Sequence, residues 1–276
     1  MRAALLQLTS SDDPAANLDT VLPMVEQAVG EGAELICTPE VTNCVSASRA
    51  RQIAVLKPEA EDPTLAAFRE AAARHGRHLL LGSIGLKTGD ADGRFANRSF
   101  LIGPSGDILA RYDKIHMFDV QVSETETYRE SAGYRPGNVS VLAETPLAKI
   151  GLTICYDVRF PHLHRALAKA EAQIITVPAA FSPGTGPAHW QPLLQARAIE
   201  TGCFVLAPAQ CGIHSATEGR SRSSHGHSLV VSPWGEVLAD GGTAPGVITV
   251  DLDLSHVDDA RRKIPALTHD RPFEGP

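Results

Sequence analysis

The sequence predicts a layered α/β fold, two sheets packed face to face with helices outside, an αββα sandwich. Three observations point there. Short apolar, β-branched runs alternate with alanine-rich segments of helical period. The second half repeats the strand and helix order of the first, as two related β-α-β units would. The chain has 276 residues, 43% hydrophobic and 21% charged, which suits one large α/β domain better than two small ones. That domain is expected over 1–276, with 255–276 as a C-terminal tail.

Residues 2–8 read as a strand, an apolar run with little helical period. Residues 15–31 follow as a helix, because Leu18, Leu22, Val25 and Val29 recur three or four apart and Gly32 stands near its end. Residues 34–38 are a short buried strand. Pro63 opens a helix over 63–75, and 78–86 return as a strand. The turn Pro104-Ser105-Gly106-Asp107 joins two strands in a hairpin. In the second half, strands are expected at 148–154, 173–178 and 203–208, with helices at 161–172 and 188–201 between them. A hairpin over 228–238, turning at Pro233-Trp234-Gly235, mirrors the one at 104–107. The last strand is 246–252. The proline-bearing tail after it is expected to lie across a neighbour or a partner subunit, outside the core.

Charge and composition exclude several classes. With 25 basic against 32 acidic residues, a formal charge of -7 and no extended basic run, nucleic acid is not an expected partner. The first apolar stretch is too short for a signal segment, and no window nears the roughly 20 apolar residues of a membrane helix. Five scattered cysteines, Cys37, Cys44, Cys155, Cys203 and Cys211, suit reduced thiols in a cytoplasm better than a disulfide framework. No phosphate-binding glycine motif is present.

Three apolar runs each end on a group with chemistry: Glu40 after 35–38, Lys114 after 108–112, and Cys155 after 151–154. Strand ends of an α/β sheet converge on one rim, where sites are built. A thiol, a base and a cation there suggest nucleophilic acyl chemistry. Cys155 stands apart from the other four cysteines, which read as small core hydrophobes. Polar Tyr156-Asp157 interrupts its strand and Arg159-Phe160-Pro161 starts a helix, so N–H groups for an oxyanion lie close. Glu40 in a partly apolar pocket would have its pKa raised, which suits a base. Lys114 would stabilise an oxyanion and favour the thiolate. The bland readings are a solvated loop carboxylate and a surface lysine. Two alternatives use histidine: a Cys–His pair with His116, His162 or His164, and a metal site from Cys203, Cys211, His214, His225 and His227. The eight-residue step from Cys203 to Cys211 lacks zinc-site spacing, so no metal is expected.

Pro39-Glu40, Tyr112-Asp113-Lys114-Ile115-His116 and Cys155-Tyr156-Asp157-Val158-Arg159-Phe160-Pro161, in that order, resemble the nitrilase superfamily of carbon-nitrogen hydrolases over nearly the whole chain. The resemblance implies an αββα sandwich of the nitrilase type, a homodimer or higher homo-oligomer, and a Glu-Lys-Cys triad with no cofactor. It implies Glu40 as general base, Lys114 as the oxyanion-side cation and Cys155 as nucleophile. Glu130, in a Glu-Ser step before Pro136-Gly137, matches the family's second glutamate. Its polar surroundings, 123–129, would otherwise read as a solvated loop.

The segments 185–190, 197–201, 207–212 and 226–228 resemble the branch that includes deaminated glutathione amidase and ω-amidase. The expected reaction turns a small carboxamide, itself bearing a carboxylate, into a carboxylate and ammonia through a thioester. Deaminated glutathione is the expected substrate. The alternatives are ω-amidase action on α-ketoglutaramate, N-carbamoyl amine hydrolysis, and a catalytically silent binding subunit. Tyr156, Arg159 and Phe181 are candidates for substrate contact, and Arg159 or Arg197 for a bidentate carboxylate anchor. Structural ion pairs are the competing account of both arginines. Residues 140–148 show nothing that selects a substrate.

Overall fold

A computed structural model describes residues 1–122, 124 and 127–275. Ser123, Thr125 and Glu126 of the segment before Glu130, and Pro276 of the tail, lie outside the described residues.

The first half runs β1 (Arg2–Gln7), α1 (Pro14–Gly30), β2 (Leu35–Cys37), α2 (Arg49–Val55), α3 (Pro63–His75), β3 (His78–Lys87), β4 (Phe95–Ile102) and β5 (Ile108–Asp113). A small pair, β6 (Asp119–Gln121) and β7 (Thr127–Arg129), follows. The second half runs β8 (Val141–Glu144), β9 (Lys149–Leu152), α4 (Pro161–Lys169), β10 (Ile174–Thr176), α5 (Gly186–Thr201) and β11 (Phe204–Ala207). It continues through β12 (Cys211–His214), β13 (Arg222–His225), β14 (Leu229–Val231) and β15 (Val237–Asp240), and the chain closes with β16 (Gly246–Asp251) and α6 (Ser255–Lys263).

Two six-stranded sheets result, ordered β16-β1-β2-β3-β4-β5 and β8-β9-β10-β11-β14-β15. Each begins with an antiparallel pair, continues with two parallel pairs and ends with two antiparallel pairs. The repetition expected between the halves is therefore a repetition of strand direction as well as of element order.

Strand period divides the layers. Ala3 and Leu5 of β1 join Leu35 of β2 and Leu80 of β3 in a cluster shared with Ile150, Ile174 and Val205 of the second sheet. Ala4 and Leu6, one step along, pack instead with Val21, Val25, Leu65 and Phe68 of α1 and α3. One face of the strand thus meets the other sheet and the other face meets helices, because successive side chains alternate. Leu163 and Leu167 of α4 and Trp190 and Leu194 of α5 cover the second sheet.

Local signals account for the helix ends. Asp13 and Asp62 cap α1 and α3 by accepting the amides of Ala15 and Leu65, each followed by a proline in the first turn. Gly76 and Gly202 end α3 and α5 in the left-handed conformation.

Two expectations shift. The inward stripe of α1 is Asn17, Val21, Val25 and Ala28, with Leu18, Leu22 and Val29 on its flanks. Asn17 takes a buried place because its side chain bonds the Ser11 amide and the Ser11 and Asn43 carbonyls. The tail, expected outside the core, contributes to it: Val257 of α6 is fully buried in the main cluster. Arg261 donates to the Ala172 and Thr201 carbonyls, and Asp270 pairs with Arg165 and Lys169 of α4. α6 and Asp270 pack on their own chain, while Ile264 and Phe273 of the tail are exposed.

The halves meet at a bulge in β3. A Cβ on Gly82 would stand 1.9 Å from the Thr38 carbonyl oxygen, 2.7 Å from that of Pro39 and 2.6 Å from Pro178 Cβ. Backbone, not flexible side chain, fills that space. Gly82→Ala is expected to lower stability by about 3 kcal/mol or more, the upper range for overpacking, and a thermal melt coincident with wild type would refute the contact.

Candidate active site

The strand directions put three functional groups on one rim. Glu40 follows β2 by three residues, Cys155 follows β9 by three, and Lys114 is the residue after β5. β5 is antiparallel to β4, which is antiparallel to β3, so β5 ends on the same side as β2 and β3. Asn97, near the start of the reversed strand β4, reaches the same rim. Facing rims of the two sheets then enclose a cavity of about 430 Å³, lined by Glu40, Asn97, Lys114, Glu130, Cys155 and the aromatic rings of Phe118, Tyr134, Tyr156 and Phe181 among others.

At its floor, the Lys114 ammonium is 2.8 Å from Glu40 Oε1, and 3.0 and 2.8 Å from the two oxygens of Glu130. Asn97 Nδ2 donates to Glu40 at 2.9 Å and to Glu130 at 3.3 Å. The Ala180 amide donates to Glu40 Oε2 at 2.8 Å, and the Phe118 amide to Glu130 Oε2 at 2.7 Å. The Cys155 thiol lies beside Glu40, close enough for each group to shift the other's ionisation. Glu40 and Lys114 are 5% and 2% exposed, so neither is the solvated surface charge that local sequence alone suggests. Glu130, in a polar segment, is drawn in by Lys114.

The charges settle in a definite order. Burial alone would raise the Glu40 carboxyl, but the charge and hydrogen bond of Lys114, the thiol and the Ala180 amide hold it below the ordinary 4.5. That overturns the expected upward shift: the pocket is apolar in part, yet a cation sits inside it. Burial likewise disfavours the Lys114 ammonium, but Glu130 and Glu40 hold its pKa well above 10.5. Burial and then Glu40 push the Cys155 thiol well above 9.0, with Lys114 opposing. The resting set is carboxylate, ammonium and thiol, so Lys114 does not hold Cys155 as a standing thiolate.

Backbone strain aims these groups. Cys155 has φ +49° and Val41, next to Glu40, also has φ +49°, a region costly for side chains with a Cβ. Thr42 and Val41 are held by donating to Ser83, and the Cys155 amide by donating to the Pro178 carbonyl at 2.9 Å. The turn after Cys155 hangs on Asp157, which is fully buried. Its carboxylate accepts from Tyr112 Oη (2.7 Å), the Ile154 amide (2.9 Å), and the His116 amide and ring (3.0 and 2.7 Å). The lysine-bearing strand end and the cysteine-bearing turn are thereby tied through one carboxylate.

The other candidates divide. Tyr156 and Phe181 line the cavity. Arg159 is not among the lining residues: its guanidinium lies over those two rings, at 5.8 and 5.6 Å, and contacts His189. Arg197 is buried behind the turn, donating to the Val158 carbonyl at 2.7 Å and pairing with Glu200. Neither arginine is among the residues that line the cavity. His116 serves Asp157 and stacks on Phe160, and His164 is buried against the Phe160 carbonyl, so no Cys–His pair forms with either. His162 packs against the His116 and Phe160 rings, away from the lining. Among the residues weighed as metal ligands, Cys203 faces the Ala172 carbonyl, Cys211 faces Thr9, and His214 bridges Ser10 and Ser224. His225 and His227 pack ring to ring.

The sequence reading missed Asn97 and the cavity arginines Arg49, Arg129, Arg220 and Arg222. Asn97 had a signal, a lone amide in the buried run Phe95-Ala96-Asn97. Cys44, read as core, lines the cavity with its thiol pushed up to about 12 by burial first and then Asp12.

Two stacked sheets with a thiol, a buried ammonium and two carboxylates at their common rim define a carbon-nitrogen hydrolase of the nitrilase superfamily. The carbon-nitrogen hydrolase family matches residues 2–262, and the chain belongs to it. The chain is similar to deaminated glutathione amidase of Yersinia enterocolitica, at 38% identity over 97% of this chain and 92% of that one. It is also similar to the C. elegans NitFhit protein, with a TM-score of 0.89 and 34% identity over 98% of this chain, spanning 65% of that protein. A third likeness is the amidase from Nesterenkonia sp. AN1, described with acrylamide added at its active site cysteine. There the TM-score is 0.76 and identity 28%, over 96% of this chain and 98% of that one.

The charge order sets a pH dependence. Glu40, with a lowered folded pKa, stabilises the fold above 4.5 and loses that contribution as pH falls through its folded value. Lys114, with a raised pKa, stabilises below 10.5 and loses its contribution as pH climbs through its folded value. Between these limits the active charge state persists, so kcat/KM should be level from about pH 6 to 9. A rise with an apparent pKa near 9.0, the ordinary thiol value, would mean that Cys155 ionises on its own.

Proposed function

We propose that the protein hydrolyses the amide of deaminated glutathione by way of a Cys155 thioester. The observation that carries the chemistry is a thiol beside a carboxylate that a buried ammonium 2.8 Å away keeps ionised. Glu40 takes the thiol proton as sulfur attacks the carbonyl, so no free thiolate is required. The oxyanion forms between Lys114 and the Tyr156 amide, an early N–H of the short helical turn Cys155–Arg159. The Cys155 amide is engaged by Pro178 and does not take part. Glu40 returns the proton to the departing nitrogen, then draws one from water, and the hydroxide cleaves the thioester to a carboxylate and the thiol. Glu130 holds the lysine. Tyr156 and Phe181 supply the apolar walls for the substrate chain.

The substrate reading is supported by the 38% identity to deaminated glutathione amidase along nearly the whole chain. In that substrate the amide nitrogen belongs to cysteinylglycine, so the leaving group is a dipeptide amine. Ammonia, the product expected from sequence, would come only from a primary amide such as α-ketoglutaramate. A cytoplasmic setting is supported by five free, buried cysteines. No helix among the described residues is long and apolar enough to cross a membrane. A homo-oligomer is supported by exposed Ile199 of α5 and Trp234 in the adjoining hairpin, 59% and 57% accessible.

Cysteinylglycine release from deaminated glutathione and ammonia release from α-ketoglutaramate should be measured together, with Cys155→Ala as control. The expected result is a strong preference for the former, and a loss on the order of 10⁴-fold or more in the variant at unchanged melting temperature. Preference for α-ketoglutaramate would make this an ω-amidase, and turnover retained by Cys155→Ala would remove the thioester route.

A further inference from the structure

Four arginines line the cavity besides Lys114, and two have structural duties. Arg49 donates to the carbonyls of Gly133 and Gly93 and covers the Phe95 ring at 3.7 Å. Arg129 donates to the Tyr128 carbonyl and lies near Asp119. Arg220 and Arg222 have no carboxylate or carbonyl partner among the described residues. The cavity's own glutamates cannot neutralise them, since Glu40 and Glu130 are both engaged by Lys114.

The two stand two residues apart, Arg222 opening β13 and Arg220 just before it, and both line the cavity. Their support is firm. In the β12–β13 connection, Thr217 donates through its amide (2.8 Å) and hydroxyl (2.9 Å) to buried Asp12, and the Glu218 amide does so at 3.3 Å. Ser48 donates to Glu218 at 2.8 Å, closing the connection onto the first half of the chain. The charge of Arg222 is felt at Cys44, Tyr134 and His214, and is not among the main influences on Glu40, Lys114 or Cys155. Cys44 and Tyr134 line the same cavity, so Arg222 belongs to the wall that they form.

We propose that Arg220 and Arg222 form the carboxylate-binding end of this cavity and hold a substrate carboxylate remote from the scissile amide. The proposal rests on the amidase reading and assigns to these two arginines the recognition of the anionic terminus that the expected amide carries. Guanidinium groups suit the task because they pair with carboxylate through two parallel hydrogen bonds. The carboxylate could belong to the acyl part or to the departing amine, and the chemistry of recognition is the same.

Two acid–amide pairs distinguish these sources, with dissociation constants measured on Cys155→Ala protein, which cannot turn ligand over. N-Acetylcysteinylglycine against its C-terminal amide reports the amine side, and glutaramate against glutaric diamide the acyl side. In one pair the acid should bind about 10- to 100-fold more tightly, as expected for a charge-assisted pair. Adding Arg220→Gln and Arg222→Gln should erase that preference with the melting temperature unchanged, while Arg222→Lys keeps part of it. Equal affinity for acid and amide in both pairs, or a preference that survives the double substitution, overturns the proposal. Wild-type silence on deaminated glutathione would instead remove the substrate reading, and the binding comparison would still decide the anchor.

Discussion

The Lys114 ammonium, buried between Glu40 and Glu130, is the interaction on which the site depends. A lone ammonium at 2% exposure would be costly to desolvate and would shed its proton. Two carboxylates and the amides of Ala180 and Phe118 remove that cost by completing a network in which each charge has partners. The members come from segments far apart in the chain, so the network forms only when both sheets are in place. It keeps Glu40 ionised beside a protonated thiol, a poised state in which one proton transfer produces the nucleophile.

Holding that state demands close backbone approach. The positive φ of Cys155 and Val41 lifts the thiol and the Glu40 segment off their strands, and neither conformation would persist without outside support. Ser83 and Pro178 supply it by hydrogen bonding, and Gly82 by having no side chain where Thr38, Pro39 and Pro178 converge. Asp157 adds the last constraint. Four donors around one buried carboxylate join the end of β5 to the turn after β9, and so join lysine to cysteine.

The repeated sheet pattern explains why such a site arises here. Both sheets place their parallel strands centrally: Glu40 lies three residues beyond β2, the middle strand of one parallel trio, and Cys155 three residues beyond β9, the first strand of the other. Stacking the sheets turns these segments toward one another. The outer part of the cavity is built differently, by the β12–β13 connection and the neighbourhood of α2. The charge network is thus lodged in the rigid layers, and the outer cavity wall in connections outside them.

Much of this was legible in the sequence. Apolar runs, caps and glycine stops placed the principal strands and helices, because these depend on neighbours along the chain. Glu40, Lys114 and Cys155 were legible because each ends such a run. Glu130 was named only through family resemblance, for its own surroundings are polar and its burial comes from Lys114. Arg159 stands close to the nucleophile in sequence yet packs over the rings of Tyr156 and Phe181 and is not among the lining residues. Arg220 and Arg222, remote in sequence from every catalytic candidate, reach the cavity through a connection fastened to Asp12 and Ser48. The downward shift of Glu40 belongs to the same class of fact. Local pattern determines which residues end strands; proximity between distant segments determines their charge state and partners, because electrostatics and hydrogen bonding act through space.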